Sequence, residues 1–150
     1  MALADAVVNE IVNFRPNTVF IDAGRGEGVI DRVRQLGFSV VEANASASAM
    51  DPSRYLNRRA ESWDRMRKWI EAGGSLPKDE NLMEELSTPT YSFDAAGRMV
   101  LEKKEKIKER MGKSPDVADA LAMTFFAPVY GDVEGRVAEF VNNEMICDIR

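Results

Sequence analysis

Apolar residues recur close to every fourth position at the start of the chain, at Leu3, Val7, Val8, Ile11, Val12 and Phe14. This spacing predicts an amphipathic helix over 2–14, ended by Pro16, which cannot continue it. The period then changes. Thr18 to Ile21 is a β-branched and aromatic run between Pro16-Asn17 and Gly24, as expected for a buried parallel strand. Val29, Ile30, Val33 and Leu36 return to helical spacing over Gly28 to Leu36, stop at Gly37 and give way to a second short strand, Ser39 to Glu42. Helix, strand, helix, strand predicts an α/β unit whose two strands run parallel.

Beyond it the pattern turns mostly helical. Asn44 to Pro52 is small, polar and turn-like. Residues 54–72 place Tyr55, Leu56, Trp63, Met66, Trp69 and Ile70 on one side and basic groups elsewhere, a long helix closed by Gly73-Gly74. Pro77 to Leu86 reads as a shorter helix. Thr90–Phe93 and Met99–Leu101 flank Asp94-Ala95-Ala96-Gly97, which predicts a β-hairpin with Gly97 free to adopt positive φ. A charged helix follows over Glu102 to Met111, ending at Gly112. Ser114 as N-cap and Pro115 at the first helical position then open a last core helix running to about Phe126. The tail, 129–150, shows only a weak helical pattern over Val133 to Val141.

Composition narrows the chemistry. With 150 residues, 45% of them hydrophobic, the chain fits one compact domain. No window approaches 18 consecutive apolar residues, and acidic groups stand where a secretory signal needs basic ones, so a cytoplasmic, membrane-free protein is expected. There is no histidine, and Cys147 is the single cysteine. Disulfide scaffolds, zinc ribbons, Cys-His nucleophiles and Ser-His-Asp triads are thereby excluded. Catalysis must run on carboxylates, lysines, tyrosines and hydroxyls. The formal charge of -5 argues against indiscriminate nucleic-acid binding but says little about any one face.

Two carboxylate-bearing stretches stand out. In VFIDAGRGEG, Asp22 ends an apolar run and three glycines follow at alternate positions. Asp22, Gly24, Gly26 and Glu42 could form an S-adenosylmethionine or dinucleotide cradle, although Val29 breaks the G-x-G-x-x-G spacing and no further βα repeats follow. In GKSPDVADAL, Asp116 and Asp119 lie three apart near a helix start, a spacing that lets both converge on one centre. Asp119 sits in an apolar sequence, where an unpaired carboxylate costs several kcal/mol. Something positive should face it: Lys104, Arg25 or an oxygen-loving divalent cation.

The segments VFIDAGRGEGVIDRVRQLG, YLNRRAESWDRMRKWIEAGGSLP and LEKKEKIKERMGKSPDVADALAMTFFAP, in that order, resemble the C-terminal nuclease domain of bacteriophage terminase large subunits. The resemblance implies a ribonuclease H-like α/β fold over 1–128, with parallel strands flanked by helices and a small β-hairpin. It implies cleavage of concatemeric double-stranded DNA with Mg2+ or Mn2+. Asp22 and Asp116 match the family's metal-binding acids, and Asp119 a position that is acidic in part of the family. Asn57, Arg59, Glu61 and Trp63 match a helix motif expected to be architectural. A small terminase subunit, a portal and an ATPase domain are the implied partners. Carboxylates are natural ligands for the two cations, roughly 3.5–4 Å apart, that phosphodiester cleavage uses. Arg25, Arg58, Lys103, Lys104 and Lys113 could contact phosphates without reading bases.

The antiparallel strands that open such folds, with their first aspartate, have no counterpart here, and no phosphate loop of an ATPase is present. Truncation of the fold at its N-terminus predicts weak metal affinity, slow or no cleavage, and an open strand edge through which two copies could pair. The alternatives are the methyltransferase-like cradle and a non-catalytic prophage remnant acting as an interaction module.

Overall fold

The computed structural model describes residues 2–129, for Arg25 the backbone alone. Helix α1, Ala2–Phe14, follows the apolar spacing read from the sequence. Strand β1, Phe20–Asp22, leads without a loop into helix α2, Ala23–Gln35, and strand β2, Val41–Ala43, lies parallel to β1 with Asp22 opposite Ala43. Ala4, Ile30, Val33 and Val40 form the core between α1, α2 and the strands. Ile30 and Val33 are fully buried, which stabilises the unit by about 1.5–3 kcal/mol for each side chain.

Helix α2 starts five residues before the expected Gly28, so Gly24, Gly26 and Gly28 lie within it. The reason is close packing. A Cβ on Gly26 would stand 2.8 Å from Ile21 Cγ2 on β1, so the helix can leave the strand this abruptly only with glycine there.

Helix α3, Arg58–Glu71, also departs from expectation, beginning four residues late. Arg54 to Leu56 leave a turn closed on Asp51 O and meet the hairpin instead: Tyr55 bridges Met99, Leu56 N–H donates to Met99 O at 3.0 Å, and Met99 N–H donates to Arg54 O at 2.7 Å. The hairpin itself is as predicted. Strand β3, Tyr91–Phe93, pairs antiparallel with β4, Met99–Leu101, and Gly97 in the turn has φ +77°.

Helices α4, Glu80–Ser87, α5, Lys104–Met111, and α6, Asp116–Met123, complete the described chain. Trp63, Met66, Leu82, Ala118 and Ala122 make a second core between α3, α4 and α6. The tail from Tyr130 onward, with the helix expected over Val133 to Val141, lies outside the described residues.

Candidate nuclease cleft

A cleft opens at the C-terminal ends of the parallel strands, where open α/β sheets characteristically present ligand-binding groups. Asp22 and its register partner Ala43 form one wall. Arg59, Ser62 and Trp63 of α3, Lys104 of α5, and Asp119, Ala122 and Met123 of α6 form the rest, with Phe126 at the edge. Two of the three carboxylates singled out from the sequence, Asp22 and Asp119, therefore line one space.

Asp22 ends β1 and caps α2. Its Oδ1 accepts from the Gly24 N–H at 3.1 Å, which fixes the carboxylate against a helix N-terminus while the residue stays exposed. Asp119 is held more tightly. Trp63 Nε1 donates to Oδ1 at 2.9 Å, and Arg59 Nη2 lies 3.4 Å from the same oxygen. Lys104 Nζ stands 2.8 Å from Oδ2, yet off the direction of a hydrogen bond, so Oδ2 is charge-paired but otherwise without a donor. Arg59 is positioned in turn by the Glu102 carbonyl, which accepts from Nη1 at 2.8 Å.

Asp116 lies elsewhere. It is exposed on the first turn of α6 and outside the cleft lining, so the expected convergence of Asp116 and Asp119 is not seen. Helix rotation turns Asp119 toward α3 and leaves Asp116 toward solvent. Among the described residues no three carboxylates gather closely enough to hold an ion together.

The expected phosphate-contacting residues differ in availability. Lys104 pairs with Asp119 and remains 46% exposed. Lys103 is exposed at the N-cap of α5. Arg58 Nη1 lies 3.4 Å from Glu61, and its guanidinium sits 4.5 Å above the Phe126 ring. Lys113 binds Asn81 and lies 2.9 Å from Glu84. The Arg25 side chain lies outside the described set.

A cofactor cradle is not built by the glycine stretch: its backbone is helical, and Glu42 faces Arg34 at 3.9 Å. Arg59 and Trp63, expected to be architectural, both hydrogen-bond to Asp119. Their spacing of four on α3, which puts them on one helix face, was the available signal. Ser62 lining the cleft carried no such signal.

No family model matches the sequence, and no curated protein does. Among solved structures, the nuclease domain of the large terminase subunit gp2 of bacterial virus Sf6 is similar, with TM-score 0.61 and 19% identity, over 84% of this chain and 72% of that one. A lysine-to-alanine mutant of gp2c from bacteriophage Sf6 with calcium gives TM-score 0.69 and 18% identity, over 83% and 71%. A mutant nuclease domain of the same subunit with manganese gives 0.65 and 18%, over 83% and 72%.

Proposed function

We propose that this chain, whose α/β fold is the ribonuclease H-like fold of the Sf6 terminase nuclease domain, is a metal-dependent nuclease domain acting on double-stranded DNA. The observation that carries the reading is the meeting of Asp22 and Asp119 in one cleft beside Lys104 and Arg59. The finer reading is cleavage of concatemeric DNA during genome packaging in a bacterial cytoplasm. Its partners there would be a small terminase subunit, a portal and an ATPase domain. No helix among the described residues is long and apolar enough to cross a membrane.

The donor set suits a hard divalent cation, Mg2+ or Mn2+. Carboxylate oxygens are the ligands such ions prefer, and Asp119 Oδ2 lacks a hydrogen bond. Two carboxylates fit one ion better than two, and Asp116, turned to solvent outside the lining, would reach that ion only through a bridging water. Bound there, the ion would lower the pKa of water and offset charge on the phosphate. The chain's own groups do the rest. Trp63 and Arg59 fix the orientation of Asp119 through Oδ1. Lys104, half in solvent, can leave Asp119 for a phosphate oxygen, and exposed Lys103 adds a second cation beside it. Arg58 and Lys113 would have to exchange their present partners to reach a phosphate.

A second reading is favoured by the Lys104–Asp119 pair itself: a cluster already neutralised by lysine and arginine, in a fold that no longer cuts. Calorimetric titration with Mn2+ separates the two. For a nuclease centre, Asp22→Asn and Asp119→Asn each weaken binding about tenfold or more, and Asp116→Asn weakens it less. Lys104→Ala tightens it by up to roughly fivefold, the worth of an exposed ion pair. Plasmid nicking falls in the same order across the three aspartate variants, whereas Lys104→Ala, which removes a phosphate contact, lowers nicking while tightening the metal. Mn2+ binding that ignores Asp22 and Asp119, or none even in Lys104→Ala, leaves the structural cluster.

A further inference from the structure

Tyr91 and Phe93 are alternate residues of β3, so both rings leave the hairpin on one side. They meet edge to face with centroids 5.9 Å apart, and remain 56% and 66% exposed. A groove runs beside them, walled by Arg54, Arg67 and Lys68 and backed by Tyr55. Its lining brings these three cations together with the carboxylate of Asp64, which pairs with Arg67 at 2.8 Å and Lys68 at 3.1 Å, and Arg67 also meets Glu71 at 2.6 Å, so a phosphate would share Arg67 and Lys68 with those carboxylates. Arg54 lies 5.6 Å from the Tyr55 ring centroid and makes no salt bridge among the described residues. The groove uses the Asp64, Arg67 and Lys68 side of α3, whereas the cleft uses Arg59, Ser62 and Trp63. They are separate surfaces on one helix.

We propose that this groove binds an unpaired nucleic-acid strand, with bases stacking on Tyr91 and Phe93 and phosphates on Arg54, Arg67 and Lys68. A cationic track and exposed aromatic platforms are the two components of sequence-tolerant single-strand binding. Intact duplex keeps its bases stacked on one another and offers nothing to the rings. An acidic peptide would use the cations and leave the rings idle. The groove carries this inference on its own residues, so failure of the metal-cleft reading leaves it standing.

The test is fluorescence anisotropy of a labelled oligothymidylate of about twelve nucleotides, within the roughly 4–16 that single-strand-binding modules cover, in EDTA so that the cleft holds no cation. Wild-type protein binds with an affinity that falls as salt rises. Replacing both rings, Tyr91→Leu with Phe93→Leu, weakens binding about tenfold or more, while Tyr91→Phe retains it. These positions are exposed, so the variants keep the fold, which circular dichroism verifies. Blunt duplex and polyglutamate at equal charge displace the oligonucleotide poorly. Unchanged affinity in the double leucine variant, or equal displacement by either competitor, overturns the proposal.

Discussion

Asp64 is a charge taken almost wholly out of water, at 6% exposure, and its environment explains how it stays ionised. Burial pushes its carboxyl upward, but hydrogen bonds from Tyr55 at 2.6 Å, from Arg67 at 2.8 Å and from Lys68 outweigh that, and the net direction is down. The Tyr55 hydroxyl moves the other way. Burial first, then its bond to Asp64, pushes it up to about 12 from 10.0. Tyr55 therefore contributes stability that is complete below pH 10 and is lost as pH rises toward about 12. Asp64 contributes stability present above the ordinary aspartate range and lost as pH falls through its lowered folded value. In Tyr55→Phe, the alkaline loss, on the order of 2 kcal/mol, should vanish from urea unfolding curves taken between pH 10 and 12. An unchanged alkaline limb would contradict the bond. Only part of this was readable beforehand. The apolar company of Asp119 demanded a cation, and Lys104 was among those named. Nothing local marks Tyr55 as partner to Asp64, because its aromatic ring fitted an apolar helix face equally well.

Helix α6, which carries Asp119, begins without a side-chain cap of its own. Ser114 was the expected N-cap, but Pro115 takes that position, and a remote carboxylate does the work. Glu85 on α4, 3% exposed, accepts from the Val117 N–H at 2.8 Å and the Ala118 N–H at 3.0 Å through Oε2. A cap supplied from 32 residues away leaves no mark in the local pattern, whereas α1, the parallel strands and the hairpin rest on periodicity and turn chemistry within each segment. The glycine run misled for a related reason: helical glycine reads as a loop until the neighbouring Ile21 is known. Glu85→Ala should cost about 1–3 kcal/mol for each buried N–H left unsatisfied, and Glu85→Gln less, in chemical denaturation. A midpoint unmoved by Glu85→Ala would show that α6 is secured elsewhere. Because α6 holds Asp119, the same variant should also weaken Mn2+ binding.

The described residues form an α1–α2–strand core and an α3–α4–α6 core that meet along the cleft, with a smaller cluster of Ala49, Tyr55, Ala60 and Met99 beside the hairpin. Among the described residues β1 pairs with β2 alone, and α1 leaves Leu3, Val12 and Phe14 largely exposed, the last at 76%. Exposed apolar side chains of this size favour self-association. Sedimentation should show a dimer growing with concentration, diminished by Phe14→Glu; a monomer throughout would dismiss that face as an interface. One feature at the junction reaches further than its contribution to stability. The carboxylate of Asp22 anchors the Gly24 amide at the start of α2 and also borders the cleft. Anything drawing charge from that carboxylate perturbs the amide, so the Gly24 nitrogen–proton resonance is a built-in gauge of occupancy, legible in magnetic resonance without any turnover.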